Sequence, residues 1–122
     1  MAERVYIVDE DRGCAASIAR TLEAAGYWAF TYPTPDAFAQ LAADRPPGWL
    51  LMDVGGPGAE RIGAIRALRE RGYDWPMIAM CAVPDLPLAA RSLHAGARDV
   101  IVKPFTPGEL IEMLRAAAAL LD

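Results

Sequence analysis

Apolar residues along this chain fall into five short, unbroken runs, and each run is followed by a longer segment in which apolar residues recur every three or four positions. Unbroken runs are typical of strands that are buried on both faces, whereas the longer spacing is typical of amphipathic helices. The predicted strands cover residues 5–8, 28–32, 49–52, 77–81 and 100–102. This alternation predicts an α/β fold with a five-stranded, doubly wound parallel sheet and five helices.

The last two helices have clear start signals. Asp85 is expected to cap the fourth helix, whose inward face is predicted to consist of Leu86, Ala89, Ala90 and Leu93. Thr106 and Glu109 form a capping box at the start of the fifth helix. On that helix, an apolar surface patch is expected at Leu110, Met113 and the alanine run 116–119.

Composition narrows the function classes. The 122 residues are 54% hydrophobic and 23% charged, as in a soluble globular protein of one domain. The formal charge of −4 argues against DNA binding, which usually needs a basic face. No apolar run is long enough to span a membrane, and the N-terminus lacks a signal-peptide pattern. Cys14 and Cys81 suggest neither a disulfide scaffold nor a zinc site, so we expect a cytoplasmic protein with reduced thiols.

Charged residues follow three of the predicted strands at the point where each strand ends. Asp9 and Glu10 follow the first strand, Asp53 follows the third and Lys103 follows the fifth. The glycines and the proline of residues 55–58 predict that the third strand stops at Asp53. Since ligands of open α/β sheets bind at the carboxyl ends of the strands, we expect these side chains to share one crevice.

Three carboxylates in one crevice repel one another unless a cation compensates their charge. Mg²⁺ takes oxygen ligands and is often bound by one or two carboxylates together with a phosphate. Lys103 adds a positive charge for an incoming phosphoryl oxygen. Because an aspartyl phosphate is a known covalent product and phosphoryl transfer depends on charge neutralisation, the set indicates a carboxylate that accepts a phosphoryl group.

The chain resembles the receiver domain of response regulators in bacterial two-component signalling. The resemblance rests on Val-Tyr-Ile-Val-Asp-Glu-Asp (5–11), Leu-Met-Asp-Val-Gly-Gly-Pro-Gly (51–58), Ala-Gly-Ala-Arg-Asp (95–99) and Val-Lys-Pro-Phe (102–105). It covers essentially the whole chain and implies a single receiver domain over residues 1–122, with no output domain in this chain. The implied fold is a flavodoxin-like (βα)5 sheet with strand order 2-1-3-4-5.

The resemblance also implies a role for each matching residue. Asp53 matches the phosphoacceptor, and Lys103 matches a phosphoryl-contacting lysine whose bond to Pro104 is a cis peptide. Mg²⁺, or Mn²⁺, would be bound by Asp9, Glu10, Asp53 and the backbone carbonyl of Gly55.

Several positions depart from the family pattern. Cys81 replaces the phosphoryl-contacting threonine or serine, and Ala82 matches its small neighbour. A thiol is a weak hydrogen-bond donor, so the backbone N–H of Ala82 is the remaining donor there. Val100 occupies the switch position, where the family has an aromatic ring, and Glu10 replaces an aspartate. The remaining departures are Gly56, Ala59 and Arg61.

The implied function is a signalling switch rather than a metabolic enzyme. A sensor histidine kinase or a phosphotransfer protein would donate the phosphoryl group, and the domain would catalyse its own Mg²⁺-dependent phosphorylation and dephosphorylation. Signalling would proceed through protein contacts, including a homodimer through helix 4, strand 5 and helix 5, or through helices 1 and 5. No DNA or membrane partner is expected.

Other interpretations remain open at this point. A docking module that kept the receiver fold but works without phosphorylation is favoured somewhat by Glu10, Cys81 and Val100. A flavodoxin-like cofactor protein would need a phosphate-binding loop after the first strand, where this chain has Asp-Glu-Asp. A thiol redox sensor based on Cys81 would lack a resolving cysteine nearby.

Overall fold

Five parallel strands form one sheet between five helices in the computed structural model, which describes residues 3–42, 44–55, 61–82 and 84–119. The strands are β1 (Arg4–Val8), β2 (Trp28–Tyr32), β3 (Trp49–Gly55), β4 (Met77–Cys81) and β5 (Asp99–Val102). The helices are α1 (Arg12–Ala24), α2 (Pro35–Ala42), α3 (Ile62–Glu70), α4 (Leu86–Ala95) and α5 (Pro107–Ala119). The strand order is β2-β1-β3-β4-β5 and every pairing is parallel, which confirms the predicted fold.

The sheet carries a buried apolar layer on each face, which explains why its inner strands are unbroken apolar runs. In β1, Tyr6 and Val8 belong to the layer that α2, α3 and α4 cover, whereas Val5 and Ile7 belong to the layer under α1 and α5. β3 alternates in the same way. No helix of the described segments is long and apolar enough to cross a membrane.

β3 runs three residues further than the predicted strand, which covers residues 49–52. It continues past Asp53 to Gly55, and its register against β4 shifts between these two residues, where Gly55 pairs with Cys81. Gly55 has a φ of 76°, a conformation that glycine adopts without a steric penalty. The prediction that β3 stops at Asp53 is therefore wrong: glycine here allows an irregularity within the strand and does not end it.

The inward face of α4 also differs from the prediction. Asp85 does cap the helix, since its Oδ1 accepts a hydrogen bond from the N–H of Leu88 at 3.0 Å. The buried residues, however, are Leu88, Ser92 and Ala95, while Leu86 is 85% exposed and Leu93 47% exposed. Ser92 can be buried because its hydroxyl donates to the Leu88 carbonyl at 2.9 Å, a contact that a hydropathy pattern does not reveal.

The start of α5 has the predicted capping box. The N–H of Thr106 donates to Oε1 of Glu109 at 3.2 Å, and the N–H of Glu109 donates to Oγ1 of Thr106 at 3.1 Å. The expected apolar surface patch is wrong for Leu110, which is fully buried, and Met113 packs against the core. Both residues lie in the layer that α5 shares with α1 and the sheet, so they stabilise the fold and do not form a surface patch.

Candidate functional site

A crevice of about 1110 Å³ opens at the carboxyl ends of the strands, where β1, β3 and β5 deliver charged side chains to one place. Its lining includes Asp9 and Glu10 after β1, Asp53 within β3 and Lys103 after β5. The sheet order puts β1 beside β3, so residues that are far apart in sequence meet there. This is the position at which open α/β sheets bind ligands.

Lys103 connects two of the carboxylates. Its Nζ lies 2.6 Å from Oδ2 of Asp9 and 3.8 Å from Oδ1 of Asp53. Its backbone N–H donates to the carbonyl of Cys81 at 2.8 Å, and the peptide bond to Pro104 is cis. Burial lowers the pKa of Lys103, but the hydrogen bond to Asp9 and the charges of Asp53 and Asp9 together outweigh burial and raise the pKa above its usual value. Lys103 is therefore an ammonium ion aimed into the crevice.

The Asp53 carboxylate is held on both oxygens. Oδ1 accepts the N–H of Gly55 at 3.0 Å, and Oδ2 accepts Nη2 of Arg61 at 2.9 Å. Asp9 is more deeply buried, with its side chain 1% exposed, and its Oδ1 accepts the N–H of Asp11 at 3.0 Å. Both carboxylates are thus oriented by backbone donors, and Asp53, whose side chain is 10% exposed, is the more accessible of the two.

Arg61 is the site residue whose role sequence reasoning missed. Its Nη1 lies 2.9 Å from Oε1 of Glu10, and its Nη2 lies 2.9 Å from Oδ2 of Asp53, so one guanidinium bridges two carboxylates. The backbone N–H of Arg61 donates to the carbonyl of Val54 at 2.9 Å, directly before α3 begins. The sequence identified Arg61 as a departure from the family pattern, but only the contact with Asp53 and Glu10 gives it a role.

The residues predicted to hold a metal provide the oxygen atoms that Mg²⁺ prefers, namely three carboxylates and one backbone carbonyl. By type and number these donors fit the ion. In the described arrangement, however, Asp53 and Glu10 are bridged by Arg61, and the Gly55 carbonyl accepts the N–H of Ala82 at 2.9 Å. Among the described residues no three acidic, histidine or cysteine side chains converge on a common point.

The predicted phosphoryl-contacting and switch residues lie around β4 and β5. Cys81 is buried in the layer under α2, α3 and α4, and this burial, followed by the charges of Asp85 and Asp53, raises the pKa of its thiol. The N–H of Ala82 already donates a hydrogen bond to the carbonyl of Gly55. Val100 packs against the same layer and is not part of the crevice lining. Gly56 and Ala59 lie outside the described residues.

Comparison with known proteins identifies the family. The model of the response regulator receiver domain matches residues 5–115, so the chain belongs to this family. Receiver domains of response regulators are signalling switches of two-component systems, and the predicted resemblance is confirmed.

Curated relatives support the same assignment. The chain is 32% identical over 117 residues to the C4-dicarboxylate transport transcriptional regulatory protein DctD of Rhizobium meliloti, covering 95% of this chain and 25% of DctD. It is 33% identical over 117 residues to the response regulator MprA of Mycobacterium ulcerans, covering 95% of this chain and 50% of MprA. The chain thus spans a quarter to half of the length of these relatives.

Solved structures agree with the fold. FixJ-N superimposes with a TM-score of 0.86 at 28% identity, covering 98% of this chain and 95% of FixJ-N. A response regulator from Thermotoga maritima superimposes with a TM-score of 0.85 at 26% identity, covering 95% of this chain and 97% of that one.

Proposed function

We propose that Asp53 accepts a phosphoryl group from a sensor histidine kinase or a phosphotransfer protein, and that this modification changes the protein contacts of the domain. The observation that carries the proposal is the placement of Lys103, whose Nζ contacts Asp9 at 2.6 Å and lies 3.8 Å from Asp53 in the crevice. A fixed ammonium beside a reachable carboxylate is the arrangement that phosphoryl transfer needs, because positioning and charge neutralisation dominate that chemistry.

In the proposed reaction, a carboxylate oxygen of Asp53 attacks the phosphorus atom, a new O–P bond forms, and the bond between phosphorus and the donor breaks. The electron pair of that bond stays with the donor. Lys103 stabilises the negative charge on the phosphoryl oxygens. Bound Mg²⁺ would neutralise further charge there, held by Asp9, Glu10, Asp53 and the Gly55 carbonyl. Hydrolysis of the acyl phosphate by water then restores the Asp53 carboxylate and releases inorganic phosphate.

The output of the switch is proposed to be a protein contact on the α4, β5 and α5 face. The exposed Leu86 and Leu93 of α4 support this face over the alternative surface of α1 and α5, because α4 belongs only to the first of the two. A homodimer through this face, or a contact with another protein, would respond to phosphorylation.

Incubation with acetyl phosphate and Mg²⁺, followed by intact-mass analysis, tests the phosphoacceptor. The wild-type protein should gain one phosphoryl group, and Asp53→Asn should gain none. The matched control is Asp74→Asn, which removes a carboxylate on the exposed surface and should leave the gain intact. Absence of any gain in the wild type, or a gain that persists in Asp53→Asn, would overturn the proposal.

A docking module that works without phosphorylation is the second candidate, and the Arg61 bridge favours it because the guanidinium occupies the carboxylates on which the chemistry depends. Beryllofluoride with Mg²⁺, which mimics an aspartyl phosphate, distinguishes the two. A rise in melting temperature that needs Asp53 supports the phosphorylated switch, whereas an unchanged melting temperature supports the docking module.

A further inference from the structure

We propose that Arg61 is a built-in competitor of the divalent cation, so that this domain binds Mg²⁺ more weakly than the same domain without the Arg61 guanidinium. The inference rests on the proposed function in that it concerns the metal of that site. It starts from one contact pattern: Nη1 of Arg61 lies 2.9 Å from Oε1 of Glu10, and Nη2 lies 2.9 Å from Oδ2 of Asp53.

The guanidinium and the metal would use the same atoms. Glu10 and Asp53 are two of the three carboxylates that are predicted to bind the ion, and Arg61 holds an oxygen of each. Mg²⁺ demands ligands at about 2.0–2.1 Å in near-octahedral geometry, which leaves little tolerance for a cation bonded to the same oxygens. The repulsion between a dication and a guanidinium that share two carboxylates opposes simultaneous binding.

The charge balance of the crevice points the same way. Asp9, Glu10 and Asp53 bring three negative charges, and Lys103 and Arg61 bring two positive charges in direct contact with them. The net charge of this cluster is then −1 instead of the −2 that it would have without Arg61. A dication therefore meets a less negative site, and displacing Arg61 restores the attraction only after two ion pairs have been broken.

The position of Arg61 makes displacement possible. Its backbone is anchored, because its N–H donates to the Val54 carbonyl, but its side chain makes no capping hydrogen bond at the start of α3. A cation at a helix N-terminus is unfavourable, so Glu10 and Asp53 are what hold the guanidinium there. Its Nε is buried and has no hydrogen-bond partner among the residues that the structure describes, which also disfavours the bridged position. The side chain of Glu10 is 61% exposed, so the outer half of the bridge can open to solvent.

The consequence is a higher requirement for the metal. In the unphosphorylated domain the Arg61 guanidinium compensates one of the two negative charges of Asp53 and Glu10, and a bound Mg²⁺ would have to displace it. Because this competition weakens Mg²⁺ binding, phosphorylation requires a higher Mg²⁺ concentration than Lys103 and the carboxylates alone would require.

Calorimetric titration of the unphosphorylated protein with Mg²⁺ tests the competition without any reaction. Arg61→Ala should bind Mg²⁺ at least about tenfold more tightly than the wild type, because one positive charge about 6 Å from a dication costs that factor even at the dielectric constant of water. Arg61→Gln keeps a polar side chain without the charge and should change the affinity in the same direction. The matched control is Arg66→Ala, which removes the same charge from the exposed side of α3 and should stay within about twofold of the wild type.

Shifts of the backbone amide signals of Gly55 and Ala82 during the titration locate the ion at the site. Equal affinity in the wild type and both Arg61 variants, or weaker binding in the variants, would overturn the competition. If Mg²⁺ binds as expected but acetyl phosphate does not modify Asp53, the competition stands and the proposed function fails. If Mg²⁺ binds to none of the proteins, the competition is wrong, whereas phosphorylation of Asp53 is judged separately by the mass assay.

Discussion

Nζ of Lys103 lies 2.6 Å from Oδ2 of Asp9, although 94 positions separate the two residues in the chain. The Asp9 side chain is 1% exposed and that of Lys103 is 19% exposed, so the pair is largely shielded from water. Removing one partner of a buried pair leaves a charge without compensation, whereas exposed pairs contribute little.

We expect Lys103→Met to lose most phosphorylation by acetyl phosphate. It should also lower the free energy of unfolding by about 1–3 kcal/mol, because the buried Asp9 carboxylate loses its partner. This cost is moderate because Lys103 itself is partly solvated. Urea unfolding at neutral pH measures the change in the free energy of unfolding. In Asp9→Asn/Lys103→Met the cost should be smaller than the sum of the single variants, since the double variant leaves no unpaired charge. Additive costs would show that the pair is not coupled.

The same pair predicts a dependence on alkaline pH. The contacts with Asp9 and Asp53 outweigh burial and raise the pKa of Lys103 in the folded protein above its value in the unfolded chain. Its contribution to stability is therefore fully present below the unfolded value of about 10.4 and is lost as the pH rises through the folded pKa. The difference in unfolding free energy between the wild type and Lys103→Met should stay constant from pH 7 to about pH 9 and shrink above about pH 10.4. A difference that grows at high pH would contradict the assignment.

A second prediction concerns Arg69, which stabilises the fold away from the crevice. Its Nη1 donates to the carbonyls of Tyr73 and Trp75 at 2.7 and 2.8 Å, and its Nε and Nη2 donate to the Gly96 carbonyl at 3.2 and 2.7 Å. One guanidinium thus connects the end of α4 with the segment between α3 and β4.

We expect Arg69→Met to lower the free energy of unfolding by about 2–4 kcal/mol, because hydrogen bonds from a charged donor are lost and three carbonyls lose a partner. Arg69→Lys should restore little of this, since an ammonium lacks the planar fork that reaches all three acceptors. Chemical unfolding measures both variants, with the exposed Arg66→Met as the control. Full stability of Arg69→Lys would show that charge alone suffices.

The sequence predicts much of the fold and of the site, but it does not predict the roles of Arg61 and Arg69. Strand positions follow from local apolar runs, and the convergence of Asp9, Asp53 and Lys103 follows from the rule that parallel strands end at a common edge. Glu10, a partner of Arg61, and Gly96, a partner of Arg69, are distant in sequence and are brought close only by the packed fold, so no local pattern encodes these contacts. The inward face of α4 is mispredicted for a related reason. Ser92 is a polar residue, but its hydroxyl donates a hydrogen bond to the Leu88 carbonyl, so it can be buried.

A third prediction addresses the replacement of a hydroxyl residue by Cys81. A threonine would offer a stronger donor to a phosphoryl oxygen than the buried thiol does. Cys81→Thr should lower the stability of the unphosphorylated domain by about 1–3 kcal/mol, because a hydroxyl enters an apolar layer. It should also increase the rise in melting temperature produced by beryllofluoride and Mg²⁺. Cys81→Val, which has the shape of threonine without its hydroxyl, is the control. Equal rises in Cys81→Thr and wild type would remove Cys81 from the phosphoryl-contacting role.

The last prediction concerns thiol chemistry. Burial is the main cause that raises the pKa of both Cys14 and Cys81, and at Cys14 the nearby Lys103 only partly offsets it. Since the thiolate is the reactive form, a raised pKa lowers reactivity at neutral pH. Both cysteines should react with iodoacetamide more slowly than free glutathione at pH 7.5, and Cys81 should react only after unfolding. In Lys103→Met the reaction of Cys14 should slow further, because the charge that lowers its pKa is gone. Peptide mass analysis over time measures each rate, and rapid labelling of Cys81 in the folded protein would instead favour a thiol redox sensor.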